Sequence, residues 1–337
     1  MQEMADDLRE TLGRLPKIDL HRHLEGSIRT GTIAELCRTH GVKLPTYDPE
    51  ELAARVQLDK PAPNLAGFFA PFRIIARCFV NSEAIARITY EAVEDAWRDN
   101  VRYLELRFSP EFMAFSHGLS PSDVVEGIIE GVAVAAKRFP TKVRLIVSIT
   151  RGRPPEAVGV PWAEPMEIAR LAVKYSDRGV VGLDLAGLES AFSPELFRAE
   201  FEVARRAGLG ITVHAGEDAG PESVRAAIER LGAVRIGHGV RILEDADVAN
   251  LAVENGVVLE ICPTSNVLTG VVESIEKHPA RRLSEAGLRI TINTDDPSVC
   301  HVNLTDEYAL LTEKFGFALE EIEGMIETAR DAAFSEL

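Results

Sequence analysis

The stretch KIDLHRHLEG, residues 17–26, decides the fold. Side chains of a β-strand alternate between two faces, so His21 and His23 project from the same face, roughly 6 to 7 Å apart along the strand. Gly26 follows three residues after His23 and ends the strand where a barrel strand would open into a loop. The stretch therefore predicts a strand that ends in two potential metal ligands, although such a pair alone also fits solvent-exposed or core histidines.

Seven further runs of β-branched or apolar residues follow this strand, separated by longer segments of helical period. In segments 122–133 and 194–206, apolar residues recur near positions i, i+3, i+4 and i+7. Eight strands that alternate with helices predict an α/β fold, a parallel (β/α)₈ TIM barrel, and we expect one domain over residues 1–337. The predicted strands are 17–23, 101–108, 142–149, 180–185, 209–214, 233–238, 257–262 and 288–294.

The segment between the first two strands, residues 24–100, is much longer than one crossover helix requires. It is expected to contain extra helices, and because it leaves the end of the first strand it should form a lid over the mouth of the barrel. Leu65, Phe68 and Phe72 fall on one helical face, for which the spacing alone favours core packing over a substrate-facing wall. The predicted helices here are 31–40, 50–57, 64–79 and 82–98, and a further one spans 318–337.

The amino-acid composition disfavours some classes of binding partner and some cellular locations. The 53 acidic and 37 basic residues give a formal net charge of −16, which argues against binding to nucleic acid or to an anionic membrane. Four widely spaced cysteines without a C-x-x-C motif are typical of reduced, packed thiols. The charged N-terminus lacks the apolar region of a secretion signal, so we expect a cytoplasmic protein.

Polar residues that close predicted strands point to one site, because active sites of such barrels lie at the carboxyl ends of the strands. His214 closes the fifth strand, His238 the sixth, and Asp295 and Asp296 the eighth. Together with the histidine pair of the first strand, they place four of the eight histidines at one rim. Imidazoles with one carboxylate favour Zn²⁺, although Co, Ni and Fe also accept such ligands, and a zinc site of this kind supports hydrolysis. Glu217, or a histidine that is not a ligand, would move the protons.

The chain also carries a series of longer motifs, in order, between about residue 15 and about residue 310. They are His21-x-His23-Leu-Glu-Gly, Leu65 to Phe72, Leu185-Ala-Gly187, His214-Ala-Gly-Glu217, Gly237-His238-Gly, Thr264-Ser-Asn and Asn293-Thr-Asp295-Asp296-Pro. In this combination the chain resembles the adenosine deaminase family of the amidohydrolase superfamily.

The resemblance implies zinc-dependent hydrolysis of adenosine and 2′-deoxyadenosine at C6, which yields inosine or 2′-deoxyinosine and ammonia. It implies that hydroxide on the metal attacks C6, that His238 orients it and takes its proton, and that Glu217 donates a proton to N1. The implied ligands of one zinc per chain are His21, His23, His214 and Asp295.

The resemblance also implies how the purine nucleoside is held. Asp296 would receive a hydrogen bond from the N7 side of the base, and the backbone N–H of Gly187 would point at N3. Leu65, Phe68 and Phe72 match the apolar wall of the family beside the nucleoside, which reverses the preference for plain packing.

Two departures from the family pattern concern the sugar end. Glu25 stands where an aspartate commonly binds the ribose 5′-hydroxyl, and its longer side chain suits a different 5′ group. Leu188 replaces the acidic residue usual after Leu-Ala-Gly, and Glu189 follows it. The alternatives are therefore a deaminase of adenine or of a 5′-modified adenosine such as aminodeoxyfutalosine.

Two further alternatives concern the chemistry. A binuclear amidohydrolase usually needs a bridging lysine at the end of the fourth strand, and residues 180–193 contain none. A non-catalytic purine-binding barrel would be expected to have lost Glu217, His238 or a ligand, and all are present.

Overall fold

Eight parallel strands, each hydrogen-bonded to the next in chain order, organise the computed structural model, which describes residues 2–337. They are β1 Lys17–His23, β2 Val101–Phe108, β3 Lys142–Arg151, β4 Val180–Gly187, β5 Gly210–Ala215, β6 Arg235–His238, β7 Val258–Ile261 and β8 Arg289–Ile292. The sheet closes just beyond β8, where the Asp295 N–H donates to the His21 carbonyl and the His23 N–H donates to the Asp295 carbonyl, both at 2.8 Å. The predicted (β/α)₈ barrel is confirmed, and every predicted strand is present with its ends within two residues of the expected ones.

Helices connect the strands and surround the barrel. Prolines at or near their first positions and glycines after their last turns mark many of their ends, as expected from the sequence. The α-helices are α1 Gln2–Arg14, α2 Thr30–Thr39, α3 Pro49–Val56, α4 Leu65–Phe68, α5 Phe72–Ile75, α6 Ser82–Arg98, α7 Pro110–Ala114, α8 Pro121–Ala135, α9 Pro165–Lys174, α10 Arg198–Arg206, α11 Pro221–Ala226, α12 Ala246–Glu254, α13 Pro263–Leu268, α14 Ala280–Glu285, α15 Pro297–Cys300, α16 Leu304–Phe315 and α17 Leu319–Ala332. No helix within residues 2–337 is long and apolar enough to span a membrane.

The insertion after β1 contains the extra helices, but one of its predicted boundaries is wrong. Residues 64–79 form two short helices, α4 and α5, followed by a 3₁₀ turn, instead of one continuous helix. Pro71 explains the break, because proline has no N–H to donate and disfavours helical backbone in the residue before it. Helix α6 packs against α8 and β2 and is the ordinary crossover helix, whereas α4, α5, Lys43 and Arg77 are parts of the insertion that reach the barrel mouth.

Candidate active site

A cavity of about 1020 Å³ opens at the carboxyl ends of the strands, beneath α4 and α5. Almost all of the predicted site residues share it, and His21 lies directly below it, fully buried. The predicted residues that line the cavity are His23, Glu25, Leu65, Phe68, Phe72, Gly187, His214, Glu217, His238, Asp295 and Asp296.

The four predicted metal ligands lie together at the floor of this cavity. The Nε2 atoms of His23 and His214 are 3.2 Å apart, and Asp295 Oδ1 lies 3.3 Å from His21 Nε2 and 3.4 Å from His23 Nε2. Two ligands about 2.0 to 2.1 Å from a zinc ion at the tetrahedral angle are roughly 3.3 Å apart, so these spacings suit zinc. His21 Nε2 is buried and has no hydrogen-bond partner, as expected for a nitrogen that faces an ion.

A second group of possible metal ligands shares His21 and Asp295 with the first but has two other members in place of His23 and His214. His238 and Cys262 also lie close to His21 and Asp295. Burial raises the pKa of the Cys262 thiol well above its ordinary value. We take the first group as the candidate cation site, because the spacings of its donor atoms suit zinc.

Buried carboxylates orient two of the four ligands from behind. Glu260 on β7 accepts from His21 Nδ1 at 2.8 Å, and Asp184 on β4 accepts from His214 Nδ1 at 3.0 Å. Arg107 on β2 lies between these carboxylates, 2.8 Å from Glu260 and 3.4 Å from Asp184. Such partners fix the tautomer and ring orientation of a ligating histidine, so each Nε2 lone pair faces the cavity floor.

The electrostatics of two of the predicted ligands favour neutral rings, whereas for His21 burial is outweighed by the contacts with Asp295 and Glu260, which raise its pKa. Burial lowers the pKa of His23 well below its ordinary value, and it also lowers the pKa of His214. Both rings are therefore neutral at physiological pH and can offer a lone pair to a cation.

Asp295 is held in an unusual backbone conformation. Its φ of 59° lies in the left-handed region, which costs a non-glycine residue free energy. Its peptide group is fixed by the hydrogen bonds to His21 and His23 that close the barrel, and Ser265 Oγ donates to Asp295 Oδ2 at 2.6 Å. The carboxylate is thus aimed at the histidines from both its main chain and its side chain.

Glu217 and His238 face each other above the ligand cluster. His238 Nε2 lies 3.7 Å from Glu217 Oε1 and 4.0 Å from Asp295 Oδ2. Burial, aided by the charge of Asp295, raises the pKa of Glu217 well above its ordinary value. The protonated form of Glu217 is thereby favoured, and in that form it can donate a proton to a bound molecule.

Glu189 holds the turn that carries Glu217. One of its carboxylate oxygens accepts from the Gly216 N–H at 2.7 Å, and the other accepts from the N–H groups of Glu217 and Ala219 at 2.9 and 3.0 Å. In the sequence, Glu189 stands out only as part of a departure from the family pattern. Nothing local in the sequence shows that it folds back onto a turn 27 residues later.

Two carboxyl groups on the wall of the cavity have unpartnered oxygens. Glu25 Oε1 accepts from the Ser109 N–H at 2.7 Å, whereas Glu25 Oε2 and Asp296 Oδ1 are buried without a hydrogen-bond partner. Burial raises the pKa of Glu25 to about 7 and that of Asp296 well above its ordinary value. Gly26 makes room for this arrangement, since a Cβ at that position would lie 1.8 Å from Asp296 Oδ1. Buried polar atoms without partners indicate that a ligand is meant to satisfy them.

The predicted apolar wall is also present. Leu65, Phe68 and Phe72 are buried and line the cavity, and the rings of Phe68 and Phe72 have centroids 6.0 Å apart. Gly187 ends β4 beside the cavity with a φ of 97°, a conformation that places its peptide at the cavity surface. The three side chains thus pack in the core and face the cavity at the same time.

A (β/α)₈ barrel with a histidine and aspartate cluster at the carboxyl ends of its strands, beside a buried glutamate whose pKa is raised, has the architecture of a metal-dependent hydrolase. The sequence profile of the adenosine deaminase family matches residues 16–336. An adenosine deaminase from Klebsiella pneumoniae is 41% identical over 309 residues, which cover 91% of this chain and 90% of that protein. The chain belongs to the adenosine deaminase family.

Solved structures of enzymes with several different activities show the same architecture. An adenine deaminase from Arthrobacter aurescens is 25% identical with a TM-score of 0.86, covering 95% of this chain and 94% of the other. An N6-mAMP deaminase from Arabidopsis is 32% identical with a TM-score of 0.83, covering 97% and 96%. An amidohydrolase from Burkholderia ambifaria with bound Zn is 28% identical with a TM-score of 0.85, covering 97% and 88%.

Proposed function

We propose that this protein catalyses the zinc-dependent hydrolytic deamination of adenosine and 2′-deoxyadenosine at C6, releasing inosine or 2′-deoxyinosine and ammonia. The observation that carries the proposal is the position of Glu217, opposite His238 and beside a cluster whose donor spacings suit zinc. The Klebsiella relative, an adenosine deaminase, supports the choice of substrate.

The proposed metal is one zinc per chain. A zinc ion held by His21, His23, His214 and Asp295 would lower the pKa of a water that it binds and so supply a nucleophile at neutral pH. His238, on the opposite side of the cavity floor, would orient the attacking water or take its proton. Glu217 would donate its proton to N1, so that C6 becomes tetrahedral and ammonia can leave.

The other residues that line the cavity would bind the purine nucleoside and determine which one is accepted. The unpartnered Asp296 carboxyl would meet the N7 side of the base, and the Gly187 peptide would meet N3. Leu65, Phe68 and Phe72 would cover the nucleoside as the apolar wall. Glu25 would bind the sugar end through its free Oε2. A cytoplasmic location stays a prediction.

A panel of purines tests the proposal. We expect kcat/KM for adenosine to exceed that for adenine by at least about 10², because losing one hydrogen bond to a buried charged group costs roughly 1.5 to 3 kcal/mol and the ribose also fills apolar space. Ammonia release is measured for adenosine, 2′-deoxyadenosine, adenine, AMP and 5′-deoxy-5′-(4-carboxyphenylthio)adenosine. A higher kcat/KM for adenine would contradict the assignment and favour an adenine deaminase, and no turnover at all would favour a non-catalytic barrel.

A second candidate function, deamination of a 5′-modified adenosine, is favoured by the outer part of the cavity. The volume of the cavity is at the upper end of the range for small-molecule sites. Phe112 and Phe115 extend its aromatic wall: the ring centroids of Phe72 and Phe112 are 6.4 Å apart, and those of Phe112 and Phe115 are 5.7 Å apart. The cations Lys43 and Arg77 line its mouth, in a chain whose net charge is −16. These surfaces suit an apolar 5′ extension that ends in an anion.

The same panel separates the two candidates. A kcat/KM for the carboxyphenylthio compound more than about tenfold above that for adenosine would make the 5′-modified compound the better substrate class. The Lys43→Ala/Arg77→Ala double variant should remove that preference and leave adenosine turnover unchanged, since neither side chain belongs to the catalytic cluster.

A further inference from the structure

His238 is the last member of a buried chain of hydrogen bonds that runs behind the site. The Ala280 N–H, at the start of α14, donates to His278 Nδ1 at 3.2 Å. His278 Nε2 lies 3.3 Å from Asn266 Oδ1, and Asn266 Nδ2 lies 3.1 Å from His238 Nδ1. All three side chains are buried, and none of these contacts involves the metal ligands.

The Ala280 N–H determines which group donates and which accepts in each of these hydrogen bonds. A backbone N–H can only donate, so His278 Nδ1 must accept from Ala280. Burial lowers the pKa of His278 to about 3, and the ring of Phe315 stacks on it with centroids 5.3 Å apart, so His278 is neutral and carries a single proton. That proton is on Nε2 and is donated to Asn266 Oδ1.

The orientation of Asn266 follows from this donation. Since its Oδ1 is used as an acceptor toward His278, its Nδ2 group faces His238 and donates to His238 Nδ1. A neutral imidazole that accepts at Nδ1 carries its proton on Nε2. His238 Nε2 is the atom that faces Glu217 and the cavity floor.

We propose that Asn266 and His278 are positioning residues that lock neutral His238 in the Nε2–H tautomer, so that His238 donates a hydrogen bond to the attacking water and does not take its proton. The inference rests on the proposed function and decides between the two roles left open there for His238. The protons balance without His238: its Nε2 proton stays in place, and Glu217 would give its own proton to N1. The carboxylate left on Glu217 would pass the hydroxyl proton of the added oxygen to the amino group, which leaves as ammonia, and the next water would return a proton to Glu217 as it becomes hydroxide.

The most direct experiment reads the tautomer itself. In zinc-loaded enzyme with ¹⁵N-labelled histidine, His238 is assigned by the signal lost in His238→Asn, and its two ring nitrogens are distinguished by their couplings to the ring C–H protons. We expect the proton on Nε2. Protonation of Nδ1 in the wild type would overturn the proposal, whether or not adenosine is a substrate.

The matched kinetic experiment is Asn266→Asp, which keeps the shape of the side chain and removes its donor. A carboxylate can only accept, so it would pull the His238 proton to Nδ1. We expect kcat to fall about 10² to 10³-fold, as for other histidines forced into the wrong tautomer, with zinc content unchanged and KM within about threefold. A kcat within about threefold of the wild type would contradict the proposal.

Two substitutions of His278 separate the loss of its hydrogen bond to Asn266 from the loss of its bulk. In His278→Gln the amide can still donate to Asn266 Oδ1, so kcat should stay within about threefold of the wild type, whereas His278→Ala frees Asn266 to rotate and should lower kcat by about tenfold or more. Equal losses in both variants would indicate a purely structural role. A wild-type enzyme that does not deaminate adenosine would remove the proposed function, and the tautomer measurement would still stand.

Discussion

The two ends of the barrel differ in whether their buried polar groups have partners within the protein. At the upper end, where the strands have their carboxyl ends, His21 Nε2, Glu25 Oε2 and Asp296 Oδ1 are buried without partners. The backbones of His238 and Asp295 have φ values of 66° and 59°, which non-glycine residues seldom adopt. Strain and unmet hydrogen bonds are concentrated at this end.

At the lower end, buried charges are paired with one another. Arg235 lies 2.6 Å from both Glu105 Oε2 and Glu260 Oε1, and it donates to the Ala332 carbonyl at 2.8 Å. The Phe334 ring covers its guanidinium at 3.6 Å, and the Phe334 N–H donates to Glu105 at 2.7 Å. The segment after α17 therefore closes the bottom of the barrel.

This difference indicates which buried polar residues bind a ligand and which stabilise the fold. Polar atoms that lack partners carry a free-energy cost that a bound molecule or ion can offset, whereas the buried charges of the lower network are paired with one another, with only Arg235 Nε, 2.6 Å from Glu260 Oε1, lacking a well-aligned hydrogen bond in that network. One residue joins the ends, because Glu260 contacts Arg235 through one oxygen and His21 through the other. Substitutions at the two ends should accordingly separate activity from stability.

The largest expected effect follows from removing a ligand at the upper end. His214→Ala should lose zinc, from about one ion per chain in the wild type, and with it all measurable deamination. Metal analysis of both purified proteins checks this, and His40→Ala, at an exposed histidine, is the control. Equal zinc in wild type and His214→Ala, or two ions per wild-type chain, would refute this ligand set.

The next effect concerns Glu217, the proposed proton donor. Glu217→Gln keeps the shape of the side chain and the zinc but has no transferable proton, so kcat should fall about 10² to 10⁴-fold. Glu254→Gln, the same change at an exposed glutamate on α12, should leave kcat unchanged. If Glu217→Gln retained its zinc and stayed within a few-fold of wild-type kcat, Glu217 would have no part in the reaction.

The sequence predicted the upper end far better than the lower one. His21, His214, His238 and Asp295 close strands, and period-two alternation with strand order is enough to bring them to one rim. The partners behind them come from distant strands, such as Glu260, 239 residues from His21, and no local pattern marks a charged residue in the middle of a buried strand as a hydrogen-bond acceptor. The network around Phe334 was missed for the same reason.

Glu189 is the clearest case of a residue that sequence reasoning undervalued. Glu189→Gln would turn an amide N–H₂ toward at least one of the three backbone N–H groups that the carboxylate now accepts, so the turn carrying Glu217 should loosen. We expect kcat to fall about tenfold with zinc content unchanged, since Glu217 itself is intact. Steady-state kinetics check this against Glu195→Gln, at an exposed glutamate, and equal kcat in the two variants would contradict the positioning role.

The smallest effect on activity is expected at the lower end. Phe334→Ala removes a half-buried ring from above Arg235 and from against Gly182 and Gly210, where any added Cβ would collide with it. The free energy of unfolding should fall by about 1 to 3 kcal/mol, less than for a fully buried phenylalanine, while kcat changes by less than about twofold. Denaturant unfolding and kinetics on the same preparations measure both, with Leu337→Ala, at an exposed residue, as the control. A loss of kcat greater than about tenfold in folded, zinc-loaded protein would show that the ends are coupled, and Glu260 would be the residue through which the coupling runs.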